Sequence, residues 1–256
     1  MITIGIDIGS ITAKGAVFSE GKILATKVIF TGYRVDSAGK RALEEVLELA
    51  GIDRSKVDKI VSTGYGRKSV SFADKVVTEI TCHGAGAHYT NPEIKTVIDI
   101  GGQDSKALAI DQDGRVKDFA MNDKCAAGTG RFLEVMARAL EADLDKFGEM
   151  SLRSEKPSKI SSLCTVFAES EVISLISKGE TRENIMAGIH ESVAARVTAL
   201  ANRVGIHEPV MMTGGVAKNI GLVKALENKL QVPILVSESA QENGAIGAAV
   251  LAAKRK

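Results

Sequence analysis

The sequence of 256 residues contains no tryptophan, and aromatic residues make up only 4% of it. Neither sign of charge dominates, because 33 Lys and Arg residues balance 32 Asp and Glu residues and leave a net charge of +1. A balanced chain lacks the basic surface that non-specific nucleic-acid binding requires, so we expect no nucleic-acid partner. Cysteines number only three, an odd and sparse count that provides no disulfide framework and indicates a reducing compartment.

Long apolar runs are also missing from the sequence. No segment reaches the roughly 18–20 consecutive apolar residues that a membrane-spanning helix needs, and no basic region precedes an apolar stretch at the N-terminus. We therefore expect a cytoplasmic protein with no membrane partner. Apolar residues at 45% and charged residues at 25% are typical of globular proteins, and about 150 residues per domain predicts one large domain or two modest ones.

What the sequence does contain is an internal repeat. Residues 6–14 align without gaps on residues 98–106, and each copy continues into alternating apolar residues and a turn glycine. The pattern predicts strand, glycine-rich turn, strand, turn and strand in both copies. A weaker match pairs residues 60–67 with residues 211–218. Two matches in the same order favour duplication of one α/β unit over chance similarity between glycine-rich turns.

Apolar residues at helical spacing separate these strands. The predicted helices cover residues 38–50, 131–142, 167–178, 182–204, 216–230 and 242–253. In the third of them, Phe167, Val172, Ile173 and Ile176 form the apolar set. The order β-β-β-α-β-α, repeated twice, predicts two α/β domains facing each other. We place the first at residues 1–93, with the helix 241–256 packing back on it, and the second at residues 94–240.

Each copy of the repeat places an acidic residue at a strand end, followed by glycine: Asp7-Ile8-Gly9-Ser10 and Asp99-Ile100-Gly101-Gly102. Glycine lets backbone N–H groups approach an anion closely, and a carboxylate can hold a divalent cation, usually through water. Lys14 can add a positive charge towards phosphate oxygens, the alternative being a lysine on a surface strand. Neither turn matches a Walker A loop or the dinucleotide fingerprint. The pair of turns therefore indicates a phosphate site of another kind.

The two turns resemble the first and second phosphate loops of the superfamily of acetate and sugar kinases, heat-shock chaperones and actin. Residues 210–219 resemble its adenosine loop, and residues 241–249 resemble its second connecting helix, in which small residues let two helices pass closely. The resemblance spans nearly the whole chain. It implies an α/β protein with the duplicated actin-like, ribonuclease H-like ATPase fold, which binds ATP or ADP with Mg²⁺ in a cleft between two domains.

Two segments around cysteines are more specific: residues 121–133 around Cys125 and residues 160–173 around Cys164. Together with residues 62–67, 99–104 and 187–190, they closely resemble the ATP-dependent activators (component A) of 2-hydroxyacyl-CoA dehydratases. The ATPase subunits of benzoyl-CoA reductases and the reductases of double-cubane-cluster proteins are related to this family. The resemblance implies a homodimer with one [4Fe-4S] cluster on the twofold axis, held by Cys125 and Cys164 of each subunit. Cys82 matches a segment of the family that holds no cluster ligand, and we expect it in the core or on a helix.

The resemblance implies an ATPase coupled to electron transfer. It would receive one electron from ferredoxin or flavodoxin and deliver it at low potential to a 2-hydroxyacyl-CoA dehydratase or a related iron–sulfur enzyme. We expect Asp7 and Asp99 in the Mg²⁺ shell, and Gln103 or Asp104 to position water at the γ-phosphate; the alternative for Gln103 is a turn residue bonded to backbone. The expected nucleotide contacts are Gly9, Ser10, Thr12, Lys14, Gly101, Gly102, Gly214, Gly215 and Lys218.

Two other classes of protein stay open at this point. A small-molecule kinase of the same superfamily needs an acidic base, for which Asp104 is the one candidate that the sequence offers. An actin-like or chaperone-like assembly protein would use ATP only as a switch. Neither class explains the two cysteine segments, and the iron content of protein purified without oxygen distinguishes them from the activator.

Overall fold

The structure, a computed structural model, describes residues 1–161 and 164–254. The chain forms two compact units. The first contains Met1–Val97, Ile110–Lys117 and the residues from Ser237 onward, and the second contains Ile98–Ala109 and Asp118–Val236. Within the described residues, no helix has the length and apolar character that crossing a membrane requires.

Ten strands and eight α-helices make up the described part of the chain. The strands are β1 (Ile2–Ile8), β2 (Thr12–Ser19), β3 (Lys22–Phe30), β4 (Lys59–Thr63), β5 (Lys75–Val76), β6 (Thr96–Ile100), β7 (Ser105–Ile110), β8 (Val116–Asn122), β9 (Val210–Thr213) and β10 (Ile234–Val236). The helices are α1 (Val35–Ala50), α2 (Glu79–Thr90), α3 (Gly130–Ala139), α4 (Leu144–Ser151), α5 (Thr165–Ser177), α6 (Arg182–Asn202), α7 (Ile220–Leu230) and α8 (Asn243–Ala253).

The two sheets have the same topology. The first sheet has the strand order β3-β2-β1-β4-β5. Read from the corresponding edge, the second sheet has the order β8-β7-β6-β9-β10. β1 is central in the first sheet, where it pairs antiparallel with β2 and parallel with β4. β6 takes the corresponding place in the second sheet. The shared order supports the duplication that the sequence repeat predicts.

The predicted order of elements is incomplete in both halves. In the first half it leaves out the fifth strand, β5, whose two residues are too few to give a period of two in the sequence. Helix α2 was not predicted because its residues 82–87 include only small residues, Cys and His, and so carry no apolar stripe. Helix α4 was missed because it has only eight residues. The six predicted helices correspond to α1, α3, α5, α6, α7 and α8.

The core of the first unit lies on both faces of its sheet. On one face, α1 buries Ala42, Val46 and Leu47 against the sheet residues. On the other face, α8 packs against β1 and α2 through small residues. A Cβ atom at Gly247 of α8 would collide with the carbonyl oxygen of Cys82 on α2. Glycine at this position therefore sets how closely the two helices approach.

Helix α5 departs from its predicted burial. Of its predicted apolar set, only Val172 is buried, while Phe167 is 67% exposed, Ile173 55% and Ile176 43%. Val166, in the first turn, is also 64% exposed. Amphipathic spacing cannot show what covers an apolar face, and within one chain most of this face remains uncovered.

A buried polar cluster joins three helices of the second unit. His190 on α6 is 1% exposed. Its Nδ1 atom lies 2.9 Å from Oγ of Ser151, and its Nε2 atom lies 3.0 Å from Nδ2 of Asn219. Burial lowers the pKa of His190 to about 3. The ring is therefore a neutral structural link between α4, α6 and the start of α7.

Candidate nucleotide site and exposed cysteines

Asp7 lies near the end of β1, where the chain turns towards β2. The residue is 5% exposed, and Nζ of Lys14 lies 3.3 Å from its Oδ2 atom. The turn between them is closed by a hydrogen bond of 3.0 Å from the N–H of Gly9 to the carbonyl oxygen of Thr12. The Lys14 side chain is only 12% exposed and faces a buried carboxylate, so it is not a solvated surface lysine.

The second turn repeats this arrangement with one more carboxylate. Nζ of Lys106 lies 3.1 Å from Oδ2 of Asp99 and 2.8 Å from Oδ1 of Asp104. Oδ1 of Asp99 accepts a hydrogen bond of 2.9 Å from the hydroxyl of Thr213. The side chains of Lys106 and Asp99 are each 3% exposed, whereas that of Asp104 is 24% exposed. Asp104 is thus the more accessible carboxylate of the second turn.

Backbone bonding in the second turn matches that in the first. The N–H of Gly101 donates to the carbonyl oxygen of Asp104 at 2.9 Å, three residues on, as Gly9 does to Thr12. Gly102 is half-buried beside Gly101, and Gln103 is exposed at the tip of the turn. Ser10 is half-buried in the first turn. Backbone and side-chain groups at both turns are therefore open to a ligand.

A glycine with positive φ follows the strand beside each turn. Gly64 follows β4 with φ of +84°, and Gly214 follows β9 with φ of +89°. A Cβ atom at Gly64 would collide with Oδ1 of Asp7, and one at Gly214 would lie 2.9 Å from Oδ1 of Asp99. Both glycines are needed because the acidic side chain occupies the space of a Cβ atom.

This equivalence corrects the second sequence match. The repeat pairs Gly64 with Gly214, and Thr63 with Thr213 at the last position of each strand. The match of residues 60–67 with residues 211–218 is therefore shifted by one residue. It aligned Gly64 with Gly215, because the sequence does not show which glycine of the Gly-Gly pair has the positive φ.

The other residues predicted to contact adenosine follow β9. Gly215 and Lys218 are exposed on a 3-10 helix, Gly215–Lys218. Asn219 then interrupts the helix predicted over 216–230, because its Oδ1 atom caps α7 by accepting the N–H of Leu222 at 3.0 Å. The predicted continuous helix is thus two elements, with the candidate adenosine residues on the first.

Helix α3 begins directly on the second turn. The N–H groups of Gly130 and Arg131 donate to the carbonyl oxygens of Gly101 and Gly102 at 2.9 and 2.8 Å. A Cβ atom at Gly130 would lie 3.1 Å from the carbonyl oxygen of Gly101. The first turn of α3 is therefore linked by hydrogen bonds to the backbone of the candidate phosphate turn.

Cys125 lies in the loop between β8 and α3. Its N–H donates to Oδ1 of Asn122 at 3.2 Å, and its carbonyl oxygen accepts the side-chain amide of Asn122 at 2.8 Å. The same amide contacts the carbonyl oxygen of Ala127 at 3.2 Å. Asn122, at the end of β8, thus fixes the loop that carries Cys125 next to the start of α3.

The three cysteines have different surroundings. Cys125 and Cys164 are exposed, and Cys164 is the residue that precedes the first turn of α5. Cys82 is buried on α2, and burial raises the pKa of its thiol to about 12. The expectation that Cys82 belongs to the core is confirmed. In residues 1–161 and 164–254, no group of three or more His, Cys, Asp or Glu side chains is arranged to hold a metal ion.

Three residues beside the acidic side chains of the two turns were not predicted as site residues: Lys106, Thr213 and Gly64. Lys106 stood in the first match, opposite Lys14, so the repeat could have identified it. Thr213 and Gly64 would have followed from the correct pairing of β4 with β9. The contact of Lys106 with Asp104 depends on the conformation of the turn, which the sequence does not specify.

The fold and the paired turns define the class of protein, an ATPase with the duplicated actin-like fold. The solved structure of a ROK family glucokinase from Streptomyces griseus has the same fold, with a TM-score of 0.62 at 15% identity over 98% of this chain. The predicted fold class is confirmed. Residues 4–252 match the model of the BadF/BadG/BcrA/BcrD ATPase family, and the chain belongs to this family.

Individual members are closely similar along their whole length. The chain is 49% identical to the activator of lactoyl-CoA dehydratase from Anaerotignum propionicum, over 98% of this chain and 97% of that one. Component A of (R)-2-hydroxyglutaryl-CoA dehydratase from Acidaminococcus fermentans superposes with a TM-score of 0.95 at 49% identity, covering 98% and 97% of the chains. The activator of 2-hydroxyisocaproyl-CoA dehydratase from Clostridium difficile, solved with bound ADPNP, superposes with a TM-score of 0.93 at 47% identity. The match covers 98% of this chain and 94% of that chain. The predicted family resemblance and the predicted ATPase are confirmed.

Proposed function

We propose that the protein is an ATP-dependent activator that delivers single electrons to an iron–sulfur enzyme of the 2-hydroxyacyl-CoA dehydratase type, with ferredoxin or flavodoxin as its donor. Its membership of the ATPase family and its similarity to named dehydratase activators support this proposal. The observation that carries it is the direct link from a phosphate turn to an exposed cysteine loop through α3.

Each turn offers groups that would contact phosphate. Gly9, Ser10 and Thr12 would contact phosphate in the first, and Gly101 and Gly102 in the second, where backbone N–H groups and glycine allow close approach. Lys14 would add a point charge. The remaining assignments concern the adenosine contacts, which we propose are made by Gly214, Gly215 and Lys218.

The acidic residues of the two turns would have different roles. Asp7 and Asp99 would contribute to the Mg²⁺ shell through water. Both oxygens of Asp99 are already engaged, by Thr213 and by Lys106, so Asp104 is the carboxylate of the second turn that a water molecule can reach most easily. Asp104 or the exposed Gln103 would orient that water for attack on the γ-phosphate.

A [4Fe-4S] cluster fits the exposed cysteines if two chains share it. Such a cluster takes four thiolates, and Cys125 and Cys164 are the exposed cysteines of a chain that has three in all. Two chains with twofold symmetry would supply four. The free N–H groups at the start of α5, directly after Cys164, favour negative charge there. The exposed apolar side chains of α5 would be covered in the homodimer.

When bound, such a cluster would supply one-electron redox chemistry. The residues of this chain would couple it to the nucleotide. The carbonyl groups of Gly101 and Gly102 accept the first N–H groups of α3, so a change in the ligand at this turn would alter these bonds. Because the Cys125 loop ends where α3 begins, a shift of α3 moves the backbone of that loop. The second turn and α3 would thus act as a nucleotide-biased two-state element.

Iron content tests this proposal. Protein purified under strict anoxia should be brown and contain about four iron atoms per dimer. Cys125→Ser and Cys164→Ser should each lose the iron, whereas Cys82→Ser, at the buried cysteine, should retain it. Colourless, iron-free wild-type protein that still hydrolyses ATP would contradict the proposal and favour a small-molecule kinase or an ATP-switched assembly protein.

A further inference from the structure

A buried polar cluster lies beside Asp7, between α2 and α8. His83 on α2 is 6% exposed, and Asn243, the first residue of α8, is 1% exposed. The surrounding helix contact consists largely of Ala and Gly residues. Burying two polar side chains in such a contact is unfavourable unless their hydrogen bonds are made. The proposed nucleotide site assigns neither residue a role.

Hydrogen bonds with Asn243 determine which nitrogen of His83 carries the proton. Nδ2 of Asn243 donates to the carbonyl oxygen of His83 at 3.0 Å, which identifies the amide nitrogen as the group facing His83. The same Nδ2 atom lies 3.3 Å from Nδ1 of His83. Since an amide nitrogen can only donate, Nδ1 must accept. The proton of the neutral ring is therefore on Nε2.

Nε2 of His83 and the Asp7 carboxylate border the same small space. A Cβ atom placed on Gly244 would lie 3.0 Å from Nε2 of His83 and 3.1 Å from Oδ2 of Asp7. Gly244 therefore leaves room that any other residue would fill at the expense of one of these groups. The N–H on Nε2 is near enough to orient Oδ2, either directly or through one water molecule.

We propose that His83 is a positioning residue for Asp7 in nucleotide hydrolysis. Asn243 fixes the ring of His83. The N–H on Nε2 then holds the Asp7 carboxylate in one orientation towards Lys14 and the proposed Mg²⁺ shell. The inference rests on the proposed role of Asp7 in the Mg²⁺ shell. It adds a layer of hydrogen bonds behind that residue, as ligand-orienting partners do at metal sites.

Two substitutions of His83 distinguish the role of Nδ1 from that of Nε2. His83→Asn keeps an acceptor for Asn243 near the position of Nδ1 but has nothing that reaches Asp7. His83→Gln can place an amide N–H near the position of Nε2. The same Asn substitution at His88, a half-buried residue on the same helix, is the matched control. Asp7→Asn reports on the site itself.

The measurement is the affinity for ADP by titration calorimetry with and without Mg²⁺, followed by kcat and KM for ATP. His83→Asn should reduce the gain in affinity that Mg²⁺ provides, and kcat, by about 10- to 100-fold. Its affinity for ADP without Mg²⁺ should be unchanged, whereas its KM for ATP with Mg²⁺ should rise with the lost affinity. His83→Gln should restore most of the affinity gain from Mg²⁺ and most of kcat. His88→Asn should resemble the wild type.

The outcomes distinguish this inference from the proposed function. If Asp7→Asn loses the Mg²⁺ gain while His83→Asn keeps it, the positioning role is wrong and the nucleotide site stands. If both His83 variants lose it to the same extent with equally lowered Tm, His83 is only structural. If neither Asp7→Asn nor the wild type depends on Mg²⁺, the assignment of Asp7 fails first.

Discussion

Replacing Lys106 with methionine should destabilise the second unit strongly. Its ammonium group lies 3.1 Å from Asp99 and 2.8 Å from Asp104, and its side chain is 3% exposed. Methionine has a similar volume but no charge, so the variant leaves two carboxylates near each other with no cation between them. Removing one partner of a buried ion pair typically costs about 3–5 kcal/mol, and we expect a loss of unfolding free energy in this range.

Urea denaturation of nucleotide-free protein, followed by circular dichroism, measures this loss, and amide exchange of residues 98–109 localises it. Lys14→Met is the comparison, because Lys14 is 12% exposed and contacts one carboxylate at 3.3 Å. Water screens it more, so its loss should be smaller. Adding Asp99→Asn to Lys106→Met should recover about 2 kcal/mol, since the pair is coupled. A loss below about 1 kcal/mol for Lys106→Met, with no recovery in the double variant, would refute the reasoning.

Two further predictions concern catalysis and pH. Gln103→Ala should leave ATP binding intact and slow hydrolysis by about 100-fold in single-turnover assays, and unchanged hydrolysis would remove Gln103 from the mechanism. His190 has a pKa of about 3 in the folded protein against 6.5 unfolded, so the unfolded state binds the extra proton below pH 6.5 and stability falls as the pH falls. At pH 5 the loss should be about 2 kcal/mol relative to pH 7, measured as urea midpoints, and His190→Gln should remove this part of the pH dependence.

Local sequence patterns carry most of the fold because each of them has a local physical cause. Asp7 and Asp99 precede glycines at strand ends, and this pattern alone predicts the paired turns. The apolar spacing of α1 and α6 predicts their buried faces, since a helix of this length turns one stripe towards a sheet or another helix. Helix α2 has no such stripe and is held by close backbone contact with α8, which the sequence does not reveal.

The site was less predictable because its contacts join distant residues. Asn243 and His83 are 160 residues apart in sequence, and Thr213 and Asp99 are 114 apart. Neither pair has a spacing that a local pattern could identify. On α5, the apolar spacing is present but Phe167 and Ile173 are exposed, because amphipathic spacing identifies an apolar surface without identifying its partner. Family resemblance supplied the proposed role of Cys125 and Cys164, which their separation along the chain would not.

The position of α8 has a consequence for the order in which the protein can fold during synthesis. Thr3 on β1 donates its side-chain hydrogen bond to the carbonyl oxygen of Ala249 on α8, 246 residues later in the chain. The first sheet therefore leaves the ribosome long before the helix that covers one of its faces. Until α8 is made, Thr3, Gly5 and Asp7, on the face of β1 that α8 covers, lack this packing partner. The second unit, although it begins later in the chain, ends at Val236, so all of its residues are made before α8 completes the first unit.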